Sequence, residues 1–269
     1  MWEIRGQVRQ LHKAVLSPHA QAPSIPNLWD ALQARGISMR VGEVSMICGR
    51  PSTAKSMVAL NIAYRAGVSC LYLSADSHLA TQSIRLMSLM TRRPQSEIEE
   101  LLTTNPPAAS ELLRQQSNIR WSFLSSPSAR HIEELVEAHV EMWSEPPMLL
   151  IIDNLSDVVK DPGDEWGKQF LLDLKFLARK WDLAVCVLHH MSLSRPHPEG
   201  TVPPMTAITG KTAETPALIL SVTTADGWLG IGAVKNRYGD MDAEGRAVDW
   251  FEYEPARAFV GDAQQVGAA

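Results

Sequence analysis

The sequence alternates short, nearly uncharged apolar runs with longer stretches in which apolar residues recur every three or four positions. That alternation narrows the fold more than any other feature. Val44-Ser-Met-Ile-Cys48, Cys70-Leu-Tyr-Leu-Ser74, Met148-Leu-Leu-Ile-Ile-Asp153, Ala184-Val-Cys-Val-Leu188 and Ala217-Leu-Ile-Leu-Ser-Val222 are too short for helices and too apolar for half-exposed strands. Such runs are strands covered on both faces. Helical patterns separate them at 56–66, 80–91, 96–118 (interrupted by Asn105-Pro-Pro107), 128–143 (entered through Ser126-Pro127) and 165–181. Strands alternating with helices build βαβ units, so the expectation is an α/β fold with a mostly parallel twisted sheet flanked by helices. The last stretch, 229–259, reads as β-hairpins with 240–245 as a turn.

Composition sets limits on what this fold can do. Hydrophobic residues make up 45% of the 269-residue chain, enough for a large core. No run approaches the roughly 18 apolar residues of a membrane span, so a membrane partner is not expected. Cys48, Cys70 and Cys186 stand singly inside apolar runs and read as reduced core thiols, which with the absence of a leader pattern at Met1-Trp-Glu-Ile-Arg points to the cytoplasm. Net charge is −5, which excludes a basic coat over the whole surface for gripping nucleic acid.

Gly49-Arg-Pro-Ser-Thr-Ala-Lys55-Ser56 joins the first strand to the first long helix, the context that a G-x-x-x-x-G-K-[ST] loop requires. The loop Gly49, Arg50, Pro51, Ser52, Thr53 and Ala54 would wrap phosphates at a helix N-terminus with its backbone N–H groups, Pro51 having none to give. Lys55 would reach the β- and γ-phosphates of ATP, and the Ser56 hydroxyl would ligate Mg²⁺. Ala54 stands where the motif has its second glycine. A helical φ there would make its methyl harmless, whereas a positive φ would lower nucleotide affinity. Asp153 closes the most apolar strand and would hold Mg²⁺ opposite Ser56.

Together with these two motifs, Pro26-Asn-Leu-Trp-Asp30, Val41-Gly-Glu-Val-Ser45, Leu71-Tyr-Leu-Ser-Ala-Asp76, Leu174-Lys-Phe-Leu-Ala-Arg-Lys180, Val185-Cys-Val-Leu-His-His190 and Val234-Lys-Asn-Arg-Tyr-Gly239 occur in the order in which they resemble the RecA-like P-loop ATPase domain of DnaB-type replicative helicases. The resemblance runs from about residue 26 to 259. It implies a RecA-like ATPase domain over 27–262, preceded by an N-terminal helix and linker segment (1–26) and followed by a flexible tail (263–269). It also implies a phage-type stand-alone version, with no room for the separate domain through which such helicases meet primase.

The same resemblance assigns roles to individual residues. Asp76, in place of the family's glutamate, would orient or deprotonate the attacking water from a strand end beside the phosphate-loop strand; a helix N-cap is the alternative for it. His190 would sense the γ-phosphate, with His189 on the opposite face of its strand. Lys235 and Arg237, on one face of a strand, would complete a neighbouring subunit's site within a homo-oligomer, expected to be a hexameric ring. The helix at 4–16 would swap onto a neighbour.

Two long loops follow strand ends. Residues 191–211 carry Arg195 and Lys211, the expected DNA-backbone contacts. Residues 155–167 carry Asp157, Asp161 and Asp164, which with Asp153 suggest a metal-dependent DNA nuclease as an alternative to a DNA motor in replication or recombination. A nucleotide-binding scaffold with negligible turnover is a third reading, kept open by Ala54 and Asp76.

Overall fold

The computed structural model describes residues 23–158, 165–191, 197–208 and 211–263, with backbone alone at 157 and 158. The helix expected at 4–16, residues 159–164 of the acidic loop with Asp161 and Asp164, Arg195, and residues 264–269 of the tail lie outside them. Along the chain run α1 (Asp30–Ala34), β1 (Val44–Gly49), α2 (Lys55–Ala66), β2 (Cys70–Ser74), α3 (Leu79–Thr91), α4 (Gln95–Thr104) and α5 (Pro106–Arg114). Then come β3 (Ile119–Ser122), α6 (Ala129–Trp143), β4 (Leu149–Asp153), α7 (Leu155–Val158), α8 (Glu165–Lys180) and β5 (Ala184–His190). The chain ends with β6 (Leu218–Ala225), β7 (Trp228–Asn236), β8 (Asp249–Glu254) and β9 (Phe259–Ala263).

The strands form one sheet in the order β3-β2-β4-β5-β1-β6-β7-β8-β9. The pairs from β3 to β6 are parallel, and β6 through β9 are antiparallel. The expected doubly covered strands are confirmed residue by residue. Ile47, Tyr72, Ile151, Leu188 and Leu220 face one core with α2, while Met46, Leu73, Ile152, Val187 and Ile219 face the other with α6 and α8. This is the alternation that a sheet between two helical layers imposes on apolar strands.

Local signals explain most boundaries. Ser128 caps α6 and exchanges hydrogen bonds with His131 in a reciprocal capping box. Asn105 ends α4 and caps α5, whose first turn carries the prolines. The β6–β7 hairpin turns at Asp226-Gly227, both at positive φ, so both strands run longer than the apolar pattern alone suggests. The 240–245 turn is built on Asp242, whose carboxylate accepts backbone N–H groups of Glu244, Arg246 and Ala247. Strand β3 was not expected, because 96–118 reads as helix and the edge strand that follows is only partly buried.

The C-terminal hairpins close over the first core. Trp29 is fully buried, tilts against Phe251 at 5.4 Å and donates its indole N–H to the Val260 carbonyl at 3.4 Å. Trp29→Ala is expected to cost about 3–5 kcal/mol, read as a lowered urea midpoint with an unchanged slope.

Candidate functional site

The parallel sheet places β2, β4, β5 and β1 side by side with their C-terminal ends on one edge, where ligands of open α/β sheets bind. On that edge a cavity of about 380 Å³ is lined by Ser52, Thr53, Ala54, Lys55, Ser56, Asp76, Asp153 and His190 among others. Residues that the sequence scatters over more than a hundred positions therefore meet at one hole.

The phosphate loop is shaped by close contacts. A Cβ on Gly49 would lie 2.5 Å from Thr53 Oγ1 and 2.9 Å from the Val222 carbonyl, so only glycine fits. Thr53 Oγ1 donates to the Arg50 carbonyl at 2.7 Å. Lys55 is 6% exposed, and its ammonium bonds the carbonyls of Gly49 at 3.3 Å and Arg50 at 2.7 Å. Burial lowers its pKa, with Cys48, Asp153 and Asp76 acting against that. Ala54 resolves its conditional reading: it sits at φ +61°, ψ +16°, left-handed backbone that favours glycine.

Ser56 and Asp153 are brought into contact, the Ser56 hydroxyl donating to the carboxylate. The second donor to Asp153 is Tyr72, fully buried, at 2.9 Å from Oδ2. Burial is the largest influence on Asp153 and lifts its pKa to about 6, against the downward pull of Ser56 and Tyr72. A hydroxyl beside a strand-end carboxylate, under a buried lysine, is the donor set that magnesium with a nucleoside triphosphate requires.

Asp76 lies at the cavity, but its strand is not beside the phosphate-loop strand. β4 and β5 stand between β2 and β1. Asp76 reaches the site because all four strands end on the same edge, and Asn154 Nδ2 approaches it at 3.5 Å. Nor is Asp76 the cap of α3: His78 is, accepting from Ala80 N–H at 3.3 Å. His190 lines the cavity, while His189 is buried and held neutral, burial and then His190 and Lys55 pushing its pKa down to about 4.

Lys235 and Arg237 do not reach this cavity; Arg237 lies toward the opposite end of the strands. Lys235 pairs with Ile219, which pairs with Met46, and Arg237 N–H bonds the Ala217 carbonyl just before β6 begins. Arg237 falls one residue past β7 rather than within it. Its guanidinium is 3.8 Å from Glu43, and Lys235 donates to the carbonyls of Ala213 and Glu214. Lys211 forms an ion pair with Glu165. All three cysteines are free and buried.

Sequence reasoning missed Tyr72, Arg85, Asn154 and Tyr253 at this site. Arg85 looks like any polar position of α3, and Tyr253 comes from β8, so neither carries a local signal. Among the described residues no helix is long and apolar enough to cross a membrane, and no group of three or more His, Cys, Asp or Glu is placed to hold a metal.

No family model matches the chain. It is 32% identical over 257 residues to the gene 65 protein of Mycobacterium phage L5, covering 90% of this chain and 92% of that protein. It is 30% identical over 236 residues to the gene 65 protein of Mycobacterium phage D29, covering 82% of this chain and 97% of that one. The chain belongs to the family of these phage gene 65 proteins. Among solved structures it resembles an ATPase domain, with a TM-score of 0.76 at 15% identity, covering 94% of this chain and 96% of that one. It also resembles a DnaB-like replicative helicase studied with its primase interactions, with a TM-score of 0.74 at 15% identity, covering 94% of this chain and 65% of the helicase. This chain thus has the RecA-like fold of DnaB-type ATPase domains.

Two expectations follow from the site. Ala54→Gly relieves about 1–2 kcal/mol of left-handed strain while adding about 0.4–1 kcal/mol of unfolded-state freedom. It should slightly raise the melting temperature and tighten binding of a fluorescent ATP analogue. Asp153 holds its proton more tightly when folded than at its ordinary 3.8, so stability falls as pH rises from about 4 to about 6 and stays lower at neutral pH. Asp153→Asn should then stabilise the chain at pH 7 by up to about 3 kcal/mol, flatten that pH dependence in urea titrations, and abolish the effect of magnesium on nucleotide binding.

Proposed function

We propose that this chain is an ATP-hydrolysing, ring-forming motor subunit that acts on DNA in phage replication or recombination. The observation that carries the reading is the split of the site between two ends of one sheet. Lys55, Ser56, Asp153, Asp76 and His190 surround one cavity, while Arg237 sits beyond the Val44 end of β1 and Lys235, level with Met46, turns its ammonium away to the Ala213 and Glu214 carbonyls. Five steps of strand separate Val44 from Gly49, about 16 Å at roughly 3.3 Å per residue. Cations at the Val44 end cannot serve the subunit's own phosphate loop, but a head-to-tail neighbour could receive them.

On this reading the phosphate loop and Lys55 bind the triphosphate. Ser56 and Asp153 would hold magnesium, which when bound draws negative charge from the β- and γ-oxygens. Asp76 orients the attacking water and takes its proton, and His190 relays loss of the γ-phosphate to the loop at 191–211. Lys235 and Arg237 of the adjacent copy balance charge in the transition state, so hydrolysis at one junction is coupled to the relative position of two subunits. Arg195 and Lys211 are proposed to meet the DNA backbone, Lys211 exchanging Glu165 for phosphate. The names of the solved relatives, an ATPase domain and a replicative helicase, support this assignment.

Single-stranded DNA should stimulate ATP turnover, and Lys55→Ala should abolish it. Arg237→Ala should be equally inactive alone, yet mixed with Lys55→Ala subunits it should recover part of the rate, because each variant supplies what the other lacks. A monomer by sizing, with turnover indifferent to DNA, would sink the motor reading.

A further inference from the structure

The far end of β1 carries a carboxylate that the sequence did not single out. Glu43 immediately precedes β1, is 8% exposed, and faces three cations. Lys175 Nζ lies 3.0 Å from Oε2, Arg179 at 3.5 Å and Arg237 at 3.8 Å from Oε1. The Tyr238 hydroxyl donates to Oε1 at 3.1 Å. Burial works against ionisation of Glu43, yet Lys175, Tyr238 and Arg179 together hold its pKa below the usual carboxylate range.

The contacts are graded. Lys175 and Tyr238, one on each oxygen, fix the direction of the carboxylate. Arg237 is the loosest partner, and its side chain keeps 44% exposure. Its backbone is anchored on Ala217, so the guanidinium is free to move only at its end, within reach of Glu43. Three arginine and lysine charges against one carboxylate leave a positive surplus, and nearby Lys235 adds to it: burial first, then Arg237 and Lys175, lowers its pKa. A surplus of that kind in a chain of net charge −5 is poised for an anion.

We propose that Glu43 is the positioning residue for Arg237, orienting its guanidinium toward the triphosphate of the neighbouring copy. This rests on the trans arrangement proposed above. It adds that β1 carries a subunit's own phosphate loop at one end and, at the other, the group that aims the cation offered to the next subunit.

The test places the change on the cation-donating subunit alone. Arg237→Ala subunits, with an intact phosphate loop and intact Glu43, are mixed with Lys55→Ala subunits or with Lys55→Ala/Glu43→Gln subunits. Sizing and thermal melts check assembly and folding, and labelled single-stranded DNA anisotropy is measured in parallel. The double variant should restore about tenfold less ATP turnover than Lys55→Ala, through kcat and not KM, with equal assembly and DNA affinity. Lys55→Ala/Glu43→Asp, which keeps the charge one methylene further back, should restore an intermediate rate. It also carries the test if the Gln variant fails to fold. Equal complementation by all donors overturns the role of Glu43, as does a loss confined to DNA affinity, which would assign the cations to DNA instead. Failure of Lys55→Ala itself to complement Arg237→Ala overturns the trans reading beneath it.

Discussion

Everything else in this structure depends on how tightly β1 is held at its C-terminal end. All six of its residues are buried, and it is bonded by β5 on one side and β6 on the other, strands that arrive more than a hundred residues later. Gly49 has room for a backbone and nothing more, wedged against Thr53 and Val222. The loop after it cannot sag into the sheet, and two of its residues, Ser52 and Ala54, take left-handed backbone. The Thr53 N–H is spent on the Arg50 carbonyl, and the start of α2 directs its dipole at the cavity. The shape of the loop at 49–56 is a consequence of where the central strand is clamped.

The groups that would do chemistry are held at a cost to the fold. Lys55 and Asp153 are both buried charges whose ionised forms burial opposes. Tyr72 shows how the cost is limited. Its hydroxyl satisfies one Asp153 oxygen while its ring stacks on Trp121 of the edge strand at 4.6 Å, so the first core and the carboxylate proposed to hold magnesium share one rigid side chain. Such a carboxylate keeps its orientation without needing solvent, the role that outer partners play around metal ligands.

The fold was legible because burial writes a local pattern. The five apolar runs became β1, β2, β4, β5 and β6 with shifts of a few residues at their ends, and Asn105-Pro-Pro107 and Ser128 marked helix boundaries that the structure keeps. What escaped was set by neighbours in space. β3 is an edge strand with a single buried residue, so Ile119-Arg-Trp-Ser offers no run to detect. Asp76 looked adjacent to β1 because β2 follows α2 in sequence, whereas the sheet inserts β4 and β5 between them. The phosphate loop, Asp153 and His190 could be read because a strand end or a glycine announces each. Tyr72, Arg85 and Tyr253 could not, since an inward phenol, a helix arginine and a hairpin tyrosine look the same whether or not a cavity lies beside them. Glu43 was hidden for the same reason: its partners come from α8 and from the turn after β7.

Charge follows the same division of the sheet. At the C-terminal edge of the strands Asp76 and Asp153 stand with Lys55 and Arg85, and at the other edge Lys175, Arg179 and Arg237 stand around Glu43. One edge would gain an anion with its nucleotide, and the other already carries excess cation. Two copies placed face to face would bring like edges together, whereas copies placed head to tail match opposite edges at every contact. A heterologous contact of that kind would repeat around a ring if its rotation closes, and its complementarity would strengthen with the triphosphate bound. Net acidity then ceases to oppose a role on DNA, because assembly would concentrate the few available cations at junctions and along a shared channel, where a single chain of charge −5 could not.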